Sequence, residues 1–286
     1  MSPYIGRFAP SPSGSLHFGS LVAALGSYLR ARSLKGQWLL RMEDIDPPRE
    51  VKGAADDILR TLEAFGLHWD GSVLYQSQRV DAYQQALNEL LQHQQAYYCQ
   101  CTRKMVREMG GIYNGRCRQH MISHGAIRLH NTQGVALFSD ELKGEVKVDA
   151  DFAEEDFIIK RSDGLYAYQL AVVLDDAHQG ITEVVRGSDL LEATCRQLSL
   201  YQTLDLTAPK WLHLPLACTQ PNFKLSKQNA ATAVDVNPPQ KSLSQALAFL
   251  GQPKVDLSGD IEIMLAQAVE QFRLDAITKE NEILIG

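Results

Sequence analysis

Three stretches of this chain combine residue types and spacings that can do chemistry. The first is the turn Pro10-Ser11-Pro12-Ser13-Gly14-Ser15-Leu16-His17-Phe18-Gly19-Ser20, set between the short run Tyr4-Ile5-Gly6-Arg7-Phe8 and Leu21, Leu25 and Leu29 at helical spacing. Pro10 and Pro12 exclude helix, while Gly14 permits a tightly turned backbone. A helix beginning near His17, with small residues at Gly19 and Ser20, leaves an anion room to reach the unpaired N–H groups of its first turn. His17 would touch the same anion. The second stretch is Phe223-Lys224-Leu225-Ser226-Lys227-Gln228. Two ammonium groups on a loop suit a polyphosphate whose charge builds as it leaves. Taken singly, each stretch also reads more plainly, as strand-to-helix punctuation and as a solvated lysine loop.

The third stretch is Cys99-Gln100-Cys101, followed by Tyr113, Cys117, His120 and His124, and it gathers three of the five cysteines. The N-terminus lacks the basic region, apolar block and small-residue cleavage site of a secretory signal, so clustered cysteines read as a metal site before a disulfide. A tetrahedral zinc needs four donors, and chemistry alone takes the fourth from His120 or His124. The plain alternative is a set of reduced, buried cysteines without metal. Cys195 and Cys218 stand apart and read as core residues.

The elements that must hold these groups follow from periodicity. Tyr4–Phe8 and Gln37–Met42 read as strands, and Leu21–Arg32, Ala54–Phe65 and Tyr83–Leu91 as helices. That βαβ alternation predicts a parallel sheet whose ligands sit at the carboxyl ends of its strands. Arg7 ends the first strand and Glu43-Asp44 follow the second, so a guanidinium and a carboxylate face one crevice, as substrate ligands or as an ordinary ion pair. The alternation resumes with Phe157–Lys160, a turn at Asp163-Gly164, the run Tyr166–Asp176, and Ile181–Leu190 as a strand leading into a loop and helix. Leu243, Ala246, Leu247 and Leu250, then Ile261, Ile263, Leu265, Val269 and Phe272, predict two or three helices near the C-terminus.

With 286 residues, 45% of them hydrophobic, the chain has the material for about two domains and a sizeable core. No apolar run approaches the roughly 20 residues of a membrane helix, so we expect a cytoplasmic protein with no membrane partner. The net charge of −6 does not forbid nucleic acid, because local potential meets phosphates. Arg103, Lys104, Arg107, Arg116, Arg118 and Arg128 form a basic region, followed by an acidic one at Asp140, Glu141, Glu145, Asp149, Asp151, Glu154, Glu155 and Asp156.

The His-x-Gly corner together with Lys-Leu-Ser-Lys resembles the class I aminoacyl-tRNA synthetases. Arg7 through His17, and Arg41-Met42-Glu43-Asp44-Ile45-Asp46, are similar to the glutamyl/glutaminyl branch. The resemblance runs from Tyr4 to Gln228 and implies an α/β, Rossmann-like nucleotide-binding fold with a zinc-containing insertion and a short helical C-terminal segment. The expected layout is a first catalytic half at 1–96, an RNA-facing insertion at 97–165, a second catalytic half at 166–220, and the lysine loop with a helical stem at 221–286. It implies ATP-dependent activation of L-glutamate, with glutamate held by Arg7, Ala9, Ser11, Glu43, Tyr168 and Arg186. ATP and its Mg²⁺ would meet His17, Gly19, Ser20 and Lys227, with His17, Lys224 and Lys227 as the catalytic set.

A short subgroup of that branch matches Cys-x-Cys…Tyr-x-x-x-Cys with tyrosine as the fourth zinc ligand. This implies a structural Zn²⁺ on Cys99, Cys101, Tyr113 and Cys117, with His120 as runner-up. Only residues 230–286 follow the lysine loop, too few for an anticodon-binding domain. Such a chain resembles the glutamyl-queuosine tRNA(Asp) synthetases, which activate glutamate and transfer it to queuosine in the tRNA(Asp) anticodon stem-loop. The alternatives are a truncated glutamyl-tRNA synthetase charging an acceptor end and an inactive paralogue that binds RNA or a partner. Two positions depart from the branch pattern: Ser20 stands where the second histidine is usual, and the lysine loop reads Lys-Leu-Ser-Lys-Gln.

Overall fold

The structure is a computed structural model describing residues 3–221, 223–225, 232–257 and 259–285. Its first part is β1 (Ile5–Phe8), α1 (Phe18–Ser33), β2 (Gln37–Met42), α2 (Ala54–Ala64), β3 (Leu74–Tyr75) and α3 (Val80–Gln92). β1 runs parallel to β2, and β2 to β3. The predicted alternation is therefore present, with α1 starting beside His17 as expected and α3 three residues before its expected first residue.

The middle of the chain breaks the parallel pattern. It contains β4 (Ala96–Cys99), α4 (Arg103–Glu108), β5 (Ala126–Leu129), β6 (Leu137–Asp140), β7 (Gly144–Lys147), α5 (Ala150–Glu154) and β8 (Ile158–Lys160). β4, β5 and β8 form an antiparallel sheet, and β6 with β7 a hairpin. Two of the charges expected to face RNA here are engaged by the protein itself. Fully buried Asp156 accepts from Arg118 Nη2 (2.9 Å) and from the Asn131 N–H (2.9 Å), and the Tyr97 hydroxyl also bonds it. Arg128 is 5% exposed and lies 3.8 Å over the Tyr113 ring. The basic region is thus narrower than its composition implied, because a carboxylate without water needs guanidinium partners.

The parallel pattern returns with α6 (Tyr168–His178), β9 (Glu183–Gly187), α7 (Thr194–Thr203) and β10 (Lys210–Leu214). β10 lies parallel to β9, and β9 meets β1 where the Thr182 N–H donates to the Ile5 carbonyl at 2.9 Å. The strand order β3-β2-β1-β9-β10 reverses its direction of travel between β1 and β9. In an open parallel sheet that reversal leaves a crevice at the carboxyl ends. The chain closes with β11 (Leu216–Gln220), β12 (Phe223–Lys224), α8 (Pro239–Phe249), α9 (Ile261–Glu270) and β13 (Glu282–Leu284). Of the two or three terminal helices expected, α8 and α9 are present among the described residues. The three-residue β13, parallel to β11, carries no period of its own and becomes a strand through that partner.

Helices cover both faces of the sheet, each over its own core. On one face Leu21, Leu25 and Leu29 of α1 pack with Trp38, Leu214 and the terminal helices. On the other, Val172, Val173, Leu200 and Trp211 form a second cluster. No described helix is long and apolar enough to cross a membrane. Helix α1 lies close on β10: a Cβ on Gly26 would sit 2.6 Å from Leu214 Cδ1. Gly26→Val should therefore cost about 2 kcal/mol by overpacking. Denaturant unfolding checks this, and an unchanged midpoint would show that the helix has room to move away.

Candidate active site

The proline- and glycine-rich corner folds as the N-terminus of α1. His17 is its N-cap, and its Nδ1 accepts the Ser20 N–H at 3.4 Å. Gly19 lies between the His17 ring and the Leu225 carbonyl, which would stand 3.2 and 3.8 Å from a Cβ at that position. The lysine loop is held at both roots. The Leu225 N–H donates to the Ala217 carbonyl (2.8 Å), and beyond the loop the Val234 N–H donates to Leu16 (2.9 Å). Lys224 forms an ion pair with Asp189, just past β9. Ser226, Lys227 and Gln228 lie outside the described residues.

At the sheet's reversal point the strands deliver charged groups into a dry crevice. Arg7 binds Asp176 with two nitrogens, Nε to Oδ1 at 3.0 Å and Nη2 to Oδ2 at 3.3 Å. Arg41 adds Nη2 to the same Oδ1 at 2.7 Å. Burial alone would raise the Asp176 carboxyl, yet Arg41 and Arg7 outweigh it and hold it below the ordinary range. Glu43 has no such partner: its Oε1 accepts no hydrogen bond, and Arg41 Nε stands 3.9 Å away. Burial pushes its carboxyl up to about 7, against the pull of Arg41 and Arg7. The sequence placed Arg7 and Glu43 in one crevice, but Arg7 pairs with Asp176. Asp176 and Arg41 were not expected in the site, and the available signal was an Asp175-Asp176 pair ending an apolar helix.

Arg186 enters from β9 beside β1. Its Nη2 donates to Thr194 Oγ1 (2.8 Å) and the Leu190 carbonyl (3.2 Å), its Nε to His213 (3.0 Å), and its Nη1 to the Tyr168 hydroxyl (3.4 Å). Burial raises the Tyr168 phenol, Glu43 adds to the rise, and Arg186 and Arg7 oppose it, so one hydroxyl feels all three groups. Ser11 and Glu43 line a cavity of about 280 Å³ together with Asp46 and Glu50. Ala9, directly after β1, is half-buried.

In the insertion the sulfurs of Cys99, Cys101 and Cys117 lie within 4.8 Å of one another, a group able to hold a metal ion. The Tyr113 hydroxyl lies against the Cys99 and Cys117 thiols and accepts the Cys117 N–H at 2.7 Å. Neither nearby histidine joins them among the described residues: His124 accepts from the Gln100 amide (2.8 Å) and His120 is exposed. Cys195 and Cys218 are buried in the core, as expected.

The poorly compensated buried carboxylate of Glu43 gives a stability test. Its carboxyl titrates near 7 when folded and at 4.5 otherwise, so between those values the folded state binds the extra proton. The cost of burying the ionised form is absent below pH 4.5 and full above pH 7. Glu43→Gln should therefore be more stable than wild type at pH 8, by at most about 3 kcal/mol, with the difference gone at low pH. Melting curves at both pH values check it, and a pH-independent difference would refute the linkage.

Comparison with known proteins agrees with this geometry. The family model for the catalytic domain of class I tRNA synthetases (E and Q) matches residues 5–282. The glutamyl-Q tRNA(Asp) synthetase of Shewanella oneidensis is 70% identical over 285 residues, covering 99% of this chain and 95% of its own. That of Cronobacter sakazakii is 57% identical over 281 residues, covering 97% and 94%. A solved glutamate tRNA ligase from Elizabethkingia meningosepticum, in complex with its amino acid, superposes with a TM-score of 0.80 at 22% identity. It is similar in fold across 98% of this chain, which spans 66% of that one. The fold, the ligase-type site and these full-length relatives together show that the chain belongs to the glutamyl-Q tRNA(Asp) synthetase family of class I tRNA synthetases.

Proposed function

We propose that the crevice activates L-glutamate with ATP and passes the glutamyl group to the queuosine base in the anticodon of tRNA(Asp), in the cytoplasm. The observation that carries the first step is two arginines held by protein groups beside a buried carboxylate with an unused oxygen. Glutamate has two carboxylates and one ammonium, and a dry site must complement each of them. Arg7 and Arg186 take the carboxylates, Glu43 the ammonium, and Tyr168, Ser11 and Ala9 complete the wall. An oxygen of the α-carboxylate attacks the α-phosphorus of ATP in line, and the bond to the bridging oxygen of pyrophosphate breaks. No base is required, because the nucleophile is already ionised. Positioning and electrostatics do the work. The Gly19 and Ser20 amides, His17 and Lys227 face the phosphate charge, Lys224 secures the loop, and Mg²⁺ accompanies ATP. A hydroxyl of the queuosine diol then attacks the glutamyl carbonyl and AMP departs.

The choice of RNA rests on the relatives, whose names specify tRNA(Asp), and on the insertion. Residues 97–165 form the RNA-facing unit in this reading, between catalytic halves at 1–96 and 166–220 and ahead of the loop and stem at 221–286. Arg103, Lys104, Arg107 and Arg116 are exposed cations on it. Cys99, Cys101, Cys117 and Tyr113 hold a structural zinc there. Four protein donors leave the ion no open position for chemistry.

Purified protein should carry close to one zinc per chain, lost in Cys101→Ser and retained in His120→Ala. Metal analysis decides this. Zinc kept by Tyr113→Phe but lost from His120→Ala would move the fourth ligand to the histidine.

The decisive experiment follows labelled glutamate onto RNA. A queuosine-containing tRNA(Asp) anticodon stem-loop alone should accept glutamate, with transfer weakening as salt rises. Arg116→Glu should lower that transfer and leave glutamate-dependent pyrophosphate exchange nearly unchanged. Glutamate found only on a 3′ terminus would reject the proposal in favour of acceptor-end charging. Absence of exchange would point to an inactive paralogue.

A further inference from the structure

Arg186 is connected to a buried chain of side chains that runs away from the crevice through His213 to Asp140. In the parallel pair β9 and β10, Arg186 and His213 are register partners, which places their side chains next to each other on one face of the sheet. Both His213 and Asp140 have side chains with 0% exposure. Asp140 ends β6, so it comes from the insertion and not from either catalytic half. One of its oxygens, Oδ2, lies 2.7 Å from His213 Nδ1 and accepts the His213 N–H at 3.1 Å. The other accepts the Leu142 and Lys143 N–H groups at 3.0 and 2.9 Å.

These partners determine where the imidazole carries its proton. An ionised carboxylate only accepts, so Nδ1 must be the donor. Burial holds the ring down to about 4, with Arg186 adding to the effect, and it is therefore neutral at physiological pH. Nε2 is left with a lone pair, and Arg186 Nε donates into it at 3.0 Å. The opposite tautomer would set two N–H donors against each other. Thr194 and the Leu190 carbonyl take Nη2, and the Trp211 ring lies 4.9 Å beneath the guanidinium. Nη1 remains, on the side of Tyr168.

We infer that His213 and Asp140 are positioning residues that fix the orientation of Arg186 through one directed proton arrangement, so that a preformed guanidinium edge meets the substrate carboxylate. The inference rests on the reading of Arg186 as a glutamate ligand and extends it. Its physical value is that rotamer freedom is removed during folding and not at binding. It also gives the β6–β7 hairpin a role at the amino-acid pocket, since Asp140 reaches His213 only when that hairpin is in place. A lysine at position 186 could not use the same chain, having a single rotating ammonium in place of a planar fork.

The test is glutamate-dependent pyrophosphate exchange by purified full-length protein. His213→Leu, which removes the acceptor from a charged donor, should raise the KM for glutamate about 10-fold or more. The KM for ATP and kcat should stay within about threefold, because the change acts on one substrate's ground-state binding. His213→Gln, which returns an acceptor near Nε2, should recover most of the loss. A folded His213→Leu protein with wild-type glutamate KM, or equal losses in the Leu and Gln variants, would overturn the inference. Arg186→Ala separates the two levels. If it leaves the glutamate KM unchanged, the reading of the pocket fails; if it raises KM and His213→Leu does not, only the relay fails. The wild-type protein supplies a measurement that needs no variant. Ring-nitrogen chemical shifts should report His213 as neutral and protonated on Nδ1 at neutral pH, and protonation on Nε2 or an imidazolium would overturn the proposal.

Discussion

The structure depends most on how it keeps ionised groups in a place with little water. Moving a carboxylate or guanidinium out of solvent costs several kcal/mol unless partners replace the lost hydration. Asp176 meets that requirement with two guanidinium groups, Arg7 from β1 and Arg41 from β2, and so ties α6 to both strands. Removing any one of the three would leave an uncompensated charge in the core. Glu43 is the exception that gives the crevice its character. It is buried with too little compensation, which a ligand bearing an ammonium group would relieve.

The same constraint organises the insertion. Asp156 binds Arg118 and Tyr97, and Glu155 binds Arg196. Asp140 is paired with His213. These carboxylates belong to the acidic region that follows the basic one along the chain. Glu155 and Asp140 fasten this part of the chain to α7 and β10, while Asp156 ties together residues of the same region. The lysine loop is organised by backbone pairing instead. One root is tied to β11, which β13 supports from its other edge, and the other root is tied to the turn that precedes α1. The described residues at the loop's two ends are thereby tied by main-chain bonds, Leu225 to Ala217 and Val234 to Leu16.

Much of this protein was legible along its sequence because it rests on local rules. Proline and glycine spacing marked the corner, leucines at helical spacing marked α1, and β-branched runs marked β1 and β9. The two distant motifs identified the family, and with it Arg7, Glu43, Tyr168 and Arg186 as one group. The cysteine spacing located the thiol cluster, but the histidines that chemistry alone favoured as its fourth member turn elsewhere, and a tyrosine lies against the sulfurs.

What the tertiary structure alone decided is which partner each charge takes. Arg7 was read against Glu43 and is bound to Asp176, 169 residues away along the chain. Arg128 was read as part of an RNA-facing patch and is buried, while Arg118, still exposed, spends its guanidinium on Asp156. His213 and Asp140 carried no signal, since a histidine in an apolar strand and an aspartate at a hairpin end are each unremarkable until strand register sets them side by side. β13 is a strand only because β11 offers it an edge. Local periodicity follows from backbone geometry and side-chain size over a few residues, and sequence encodes both directly. Pairing of buried charges depends on distances between elements far apart along the chain, and only the folded sheet supplies those distances.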